Sequence, residues 1–120
     1  MNNPKSISLI FTLYRDKYTV KKVIDKSLKI LKKLKIKYEI IIVDDCCPEK
    51  SGLVALKYSK RNPKIKVIFH KKNYGYGAAI RSGFKNSRYE CVYAVDGDGE
   101  FGIALNDLPR VLKKYIFNDL

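Results

Sequence analysis

Histidine occurs once in the 120 residues of this chain, at position 70, and cysteine only at positions 46, 47 and 91. No Cys-x-x-Cys spacing and no second histidine accompany them, so the pattern does not build a zinc site. Adjacent cysteines do not readily bridge to one another, and reduced thiols in a cytoplasmic compartment are the simplest account. His70 follows the apolar run Ile65 to Phe69 and reads as a strand-end residue rather than a catalytic base. No apolar run approaches the roughly 20 residues that cross a bilayer, and the short polar start, Met1 to Ser6, is not a secretory signal. Repeats, low-complexity tracts and Gly/Ser linkers are absent, so no internal domain boundary is expected. Acidic residues are few as well: 12 Asp and Glu stand against 25 Lys and Arg, a formal charge of +13. Such an excess suits an anionic partner. Eight of the lysines, however, are interleaved with apolar residues over Tyr18 to Lys37, where they fill the solvated side of a helix. The tyrosines are scattered rather than arrayed for base stacking, so a nucleic-acid partner is not expected. Attraction to an acidic membrane face is the next reading of the charge.

Hydrophobic residues make up 46% of the chain, enough for a real core and too many for a mainly disordered polypeptide. Ser6 to Leu13 reads as a first buried strand. A helix follows, marked by Val20, Val23, Ile24, Leu28, Leu31 and Leu34 at three- and four-residue intervals. Tyr38 to Val43 reads as a second strand, Leu53 to Ser59 as a short helix stopped by Asn62-Pro63, and Lys64 to Phe69 as a third strand. Gly77 to Asn86 reads as a third helix, Tyr89 to Val95 as a fourth strand and Leu105 to Tyr115 as a closing helix. This alternation predicts an α/β fold, a Rossmann-like, mainly parallel sheet with helices on both faces. Ligands of such sheets sit beyond the carboxyl ends of the strands. That rule places Thr12 to Asp16, Asp44-Asp45, Lys71 to Gly77 and Asp96 to Glu100 along one rim.

The last of these segments carries Asp96, Asp98 and Glu100 at alternating positions, separated by glycines. In extended backbone the three carboxylates face one way. Two like charges 4 Å apart repel by roughly 4 kcal/mol at an effective dielectric of about 20, so the cluster implies a cation, a proton or plain solvation. Oxygen ligands of this kind suit Mg²⁺ or Mn²⁺, whereas a solvated acidic turn is the alternative. Convergence of four polar clusters on one rim favours the cation. Gly75-Tyr-Gly77 does not complete a dinucleotide fingerprint, because the third glycine position holds Ile80. Asp96 to Asp107 departs from a helix–loop–helix calcium site, with Phe101 where glycine is required. Asp44-Asp45 follows the second strand, not the first as in a receiver domain.

Four stretches together carry a family resemblance: Ser8-Leu-Ile-Phe-Thr-Leu-Tyr14, Tyr38-Glu-Ile-Ile-Ile-Val-Asp-Asp45, Asn73-Tyr-Gly-Tyr-Gly-Ala-Ala-Ile-Arg-Ser-Gly-Phe84 and Val95-Asp-Gly-Asp-Gly-Glu-Phe101. In their order and spacing the sequence resembles the N-terminal half of the family-two, inverting, GT-A-fold glycosyltransferases, particularly the polyprenyl- or dolichyl-phosphate mannose and glucose synthases. The resemblance implies a nucleotide-sugar-binding half with Thr12, Tyr14 and Asp16 in the nucleotide pocket. Asp45 would read the base, supported by Asp44. Asp96 and Asp98 would form the family's D-x-D, holding Mg²⁺ or Mn²⁺ against the donor diphosphate, with Asp98 as the catalytic position and Glu100 beside them. Gly75 and Gly77 would let the third helix approach closely, and Arg81 would assist near the phosphates. Arg15 stands in place of the usual Asn, Lys17 in place of a second acidic residue and Cys46-Cys47 in place of Gly-Ser, changes that bear on base and ribose recognition more than on metal binding.

The resemblance also implies partners: a nucleoside-diphosphate sugar, a polyprenyl or dolichyl phosphate or glycan acceptor, and the cytoplasmic face of a membrane. The family's acceptor half would begin after about Asp107, so residues 1–120 are expected to form one glycosyltransferase-like domain truncated on its acceptor side. The fourth strand would then be an apolar edge for a partner chain or a second copy to cover. Two alternatives stay open. One is a catalytically incomplete donor-binding or assembly subunit. The other is a nucleotidyltransferase, although Thr12 to Lys17 lacks the glycine such enzymes carry after the first strand.

Overall fold

The computed structural model describes residues 6–13, 17–48, 50–89 and 91–96, without the side chains of residues 17–19, 95 and 96. Within them the chain alternates β1 (Ser6–Leu13), α1 (Lys17–Leu34), β2 (Lys37–Asp44), α2 (Ser51–Arg61), β3 (Ile65–Phe69), α3 (Tyr76–Lys85) and β4 (Val92–Asp96). The strands form one four-stranded sheet in the order β3-β2-β1-β4, and each pairing is parallel. The expected α/β architecture is therefore present. The expected closing helix over Leu105 to Tyr115 lies outside the described residues.

β1 and β2 read as almost unbroken apolar runs because both faces of the sheet are covered. Side chains alternate along a strand, and two cores result. On one face Ile7, Leu9, Phe11 and Leu13 of β1 join Ile40 and Ile42 of β2, Val20, Val23, Ile24 and Leu31 of α1, and Ala55 of α2. On the other, Ile10, Ile41 and Val43 pack with Ala79 of α3. Full burial of each such large aliphatic or aromatic side chain stabilises by about 1.5–3 kcal/mol. Small residues bring α3 close: a Cβ on Gly83 would stand 2.5 Å from Cγ2 of Ile10. Gly75 and Gly77, expected to serve this approach, do not. Among the described residues a Cβ on Gly75 would meet nothing within 4 Å, and one on Gly77 only Arg81. Gly75 is instead needed for its backbone, at a φ of 98°.

Two boundaries differ from the sequence reading by three residues, the others by at most two. The first helix ends at Leu34 rather than running to Lys37, because Lys35 turns into left-handed backbone with its N–H on the carbonyl of Lys32, and Lys37 already pairs with Ser6. β4 begins at Val92 rather than Tyr89. Upstream, side chains take the backbone donors: Arg88 N–H donates to Glu39 and Tyr89 N–H to the Ser8 hydroxyl.

α1 and α2 cover one face and α3 the other, so the chain leaves β1 for β2 and β3 on one side and returns across it to β4. The crevice of such a fold lies at the carboxyl ends of the strands where the order reverses, here β1 and β4. Among the described residues β4 is an edge strand, and no described helix is long and apolar enough to cross a membrane.

Candidate functional site at the carboxyl ends of the strands

The apolar run of β2 ends in two acids, and the alternation that serves its core separates them. Asp44 points to the α2 face. Its Oδ1 accepts from Cys47 N–H at 2.6 Å and its Oδ2 from Gly52 N–H at 2.9 Å. α2 begins after Lys50, which supplies no side-chain cap, so a carboxylate from the neighbouring strand satisfies the first turn instead. Gly52 makes room for it, since a Cβ there would stand 2.6 Å from Oδ2 of Asp44.

Asp45 points to the α3 face. Its Oδ1 accepts from His70 Nδ1 at 2.9 Å and Tyr74 N–H at 2.8 Å, and its Oδ2 from Gly75 N–H at 2.8 Å. Burial pushes this carboxyl up, but the hydrogen bond from His70 and those from Tyr74 and Gly75 outweigh it and hold the pKa below the ordinary value. A carboxylate has about four acceptor positions, so the three donors found among the described residues leave one position on Oδ2 without a partner there. Asp45 N–H donates to the Leu13 carbonyl at 3.1 Å, which fixes it beside the end of β1.

His70 stands just past β3, as expected, but it does more than end a strand. Its Nε2 lies 2.7 Å from the Ser82 hydroxyl of α3, and its ring meets Tyr74 edge-on at 5.4 Å. A carboxylate only accepts, so Nδ1 carries a proton, and Nε2 of the neutral ring then accepts from Ser82. Asp45, His70 and Ser82 thus have the connectivity of a hydrolytic triad. Ser82 sits mid-helix, however, where neighbouring N–H groups are engaged by the helix, and no oxyanion site accompanies it among the described residues. Sequence reasoning missed both the bridge and Ser82. Only the position of the lone histidine at the rim pointed toward it.

Thr12 is buried near the end of β1, with its Cα in register with Val43 on one side and Asp96 on the other. Leu13 is in register with Asp44. Thr12, Asp44, Asp45 and the backbone of Asp96 therefore share one end of the sheet. Arg81 is exposed on α3, its Nη1 3.5 Å from where a Cβ on Gly77 would stand. Tyr14, Asp16, Asp98 and Glu100 lie outside the described residues. Among those described, no three His, Cys, Asp or Glu side chains converge as for a metal ion. A cleft of about 390 Å³ opens between α2 and the ends of β2 and β3, lined by Asp44, Cys46, Lys50, Leu53, Phe69 and His70 among others. Its size lies within the range of small-molecule sites.

At the opposite end, Glu39 holds the sheet together. It accepts from Ser8 Oγ at 2.6 Å and from Arg88 N–H, and Lys66 Nζ lies 2.8 Å from its other oxygen. Burial raises this carboxyl, but Lys66, Ser8 and Arg88 outweigh it and lower its pKa.

The structure is similar to a mannosyltransferase of Pyrobaculum calidifontis solved with GDP-Man and Mn²⁺, at a TM-score of 0.69 and 15% identity over 81% of this chain and 28% of that one. It is equally similar, at a TM-score of 0.69 and 19% identity, to mannosyl-3-phosphoglycerate synthase of Rubrobacter xylanophilus, over 89% of this chain and 36% of that one. These likenesses give the fold, the GT-A arrangement. In sequence the chain is 35% identical over 115 residues to a dolichyl-phosphate beta-glucosyltransferase of Trichomonas vaginalis, covering 92% of this chain and 35% of the relative. It is 33% identical over 102 residues to the human dolichyl-phosphate beta-glucosyltransferase, covering 79% and 32%. The chain spans about a third of the length of these relatives. The family model for glycosyl transferase family 2 matches residues 8–119, nearly the full chain, and the chain belongs to that family.

Proposed function

We propose that this chain forms the donor-binding part of a metal-dependent hexosyltransferase, which moves a sugar from a nucleoside diphosphate to a polyprenyl or dolichyl phosphate or a glycan. The observation that carries the reading is the register of Thr12 with Asp96 at the switch point of the sheet, with Asp45 bonded beside them to Leu13. Three segments distant in sequence meet at one crevice, and the relatives' names support sugar transfer as its chemistry.

In this reading Thr12, Tyr14 and Asp16 line the nucleotide pocket, and the open acceptor position of Asp45 receives an N–H of the base, with Asp44 holding the neighbouring loop. The first turn of α3 carries N–H groups with no partner inside the helix, and Arg81 adds a cation, so a diphosphate finds positive charge there. Asp96, Asp98 and Glu100 offer the hard oxygen donors that Mg²⁺ or Mn²⁺ takes, and the backbone of Asp96 at the rim of the crevice fits that role. When bound, the cation offsets the negative charge that develops on the departing nucleoside diphosphate. Asp98 is the catalytic position through this role. A lipid phosphate acceptor is already ionised at neutral pH and needs little help from a general base.

The lysines of α1, among them Lys22, Lys29 and Lys33, suit attraction to the acidic cytoplasmic face of a membrane, where such an acceptor resides. The edge position of β4 favours a second arrangement, in which a partner chain or a second copy covers the sheet and completes the enzyme. Calorimetry with UDP-glucose and GDP-mannose, with and without Mn²⁺, tests the donor reading. At least one donor should bind, and Asp98→Ala should abolish the Mn²⁺-dependent part. Equal binding by wild type and variant would refute the metal assignment. Turnover by residues 1–120 alone would argue against the completed-by-partner arrangement.

A further inference from the structure

The His70 bridge has no part in the roles proposed above. It joins three elements at the rim: the end of β2 through Asp45, the end of β3 through its own backbone, whose N–H donates to the Asp44 carbonyl at 2.9 Å, and α3 through Ser82. Ser82 lies 2.7 Å from Nε2 and so prevents the ring from turning about χ2, while Nδ1 fills the second acceptor position on Oδ1 of Asp45. The side chain of His70 is only 10% exposed and that of Asp45 only 7%. Water therefore cannot readily replace either bond, and a donor lost here leaves a buried acceptor short. The same ring edges Tyr74, a residue 58% exposed whose N–H also reaches Asp45. One imidazole thereby fixes a carboxylate, the loop that caps it and an exposed aromatic face in a single arrangement.

We propose that His70, locked by Ser82, is the positioning residue of the donor pocket: it directs the open Oδ2 position of Asp45 and the ring of Tyr74 toward the same bound ring system. The inference rests on the donor reading of Asp45 given above. It assigns His70 no proton transfer and no contact with the reacting atoms. Its work is to remove alternatives, so that a flat group with an N–H edge meets a prepared acceptor and a prepared aromatic face. Among the described residues, the basic side chains of this region, Lys71, Lys72 and Arg81, are all exposed, and none is bonded to Asp45. Its partners among those residues are two backbone N–H groups and His70.

The test uses His70→Ala, His70→Asn and Ser82→Ala in the full chain. The Asn side-chain amide can reproduce the Nδ1–H donor to Asp45, and the Ala variant cannot. Binding of UDP-glucose and GDP-mannose is measured by calorimetry with Mn²⁺. The Asp45 carboxyl is titrated by NMR, and hydrogen exchange is followed at the Tyr74 and Gly75 amides, in each case without ligand. The proposal expects His70→Ala to weaken the preferred donor by about tenfold, the scale of one lost hydrogen bond to a charged group. It also expects the Asp45 titration to move up and both amides to exchange faster. His70→Asn should restore the titration and most of the affinity, and Ser82→Ala should fall between. A merely structural histidine would lower the unfolding midpoint without rescue of binding by Asn, and that result would overturn the proposal. So would unchanged affinity and titration in His70→Ala. If wild type binds no donor, the donor reading fails, while titration and exchange still decide whether His70 orients Asp45.

Discussion

Asp44 and Asp45 are neighbours in the chain, yet each holds the start of a different helix on opposite faces of the sheet. Asp44 takes the N–H groups of Cys47 and Gly52 ahead of and within α2, and Asp45 takes those of Tyr74 and Gly75 ahead of α3. A two-residue motif thereby anchors both layers of helices to the end of β2, the point from which the candidate site is built.

The cap on α2 can be removed without touching the α3 side. Asp44→Ala should lower stability by about 1–3 kcal/mol, the scale of a lost cap combined with buried donors left unpaired. Asp44→Asn, which keeps one carbonyl acceptor, should cost less. Urea unfolding followed by circular dichroism measures both, and equal midpoints for Ala and wild type would refute the capping role.

Gly83 is a packing glycine, and Gly75 is a conformational one. Alanine at 83 is the better helix former by about 1 kcal/mol, but its Cβ would press to 2.5 Å on Ile10. Overpacking of this kind costs about 1–3 kcal/mol. Gly83→Ala should therefore destabilise, and Gly83→Ala combined with Ile10→Val should recover part of the loss. Gly75→Ala should also destabilise, through its φ of 98°, but no change at Ile10 should rescue it.

Acid should unfold the protein through two named groups. The folded pKa values of Asp45 and Glu39 both lie below their unfolded values of 3.8 and 4.5. As pH falls, the unfolded chain takes up protons first. Their contribution is complete above about pH 6 and is lost as the pH drops through the folded pKa values. Denaturant midpoints should decline from pH 6 to pH 3, and Asp45→Asn with Glu39→Gln should start lower and decline less. A double variant as steep as wild type would point to other carboxyls.

Thiol chemistry reports on burial. Of the three cysteines, Cys46 is exposed, whereas Cys47 and Cys91 are buried, and burial pushes the Cys91 thiol up. Because the thiolate is the nucleophile, iodoacetamide at pH 8 should modify Cys46 first in the native protein and reach Cys91 only on unfolding. Mass spectrometry of the labelled peptides checks the order.

Much of this protein was legible in its residues taken one after another. Apolar runs of the right length, broken by Asn62-Pro63 and by glycine, determined strands alternating with helices, hence a parallel sheet. The carboxyl-end rule then placed Thr12 to Asp16, Asp44-Asp45, Lys71 to Gly77 and Asp96 to Glu100 at one rim, with His70 read only as a strand end. The four matched stretches determined the family. Tertiary structure alone decided the strand order β3-β2-β1-β4, which sets β4 beside β1 and brings Asp96 into register with Thr12. It also decided that His70 and Ser82 meet, and that Gly83 rather than Gly75 or Gly77 lets α3 close on the sheet. The physical reason is that period and propensity act over a few residues along the chain. Which helix covers which face, and which side chains then share a hydrogen bond across 12 or 25 positions, depends on how the layers pack.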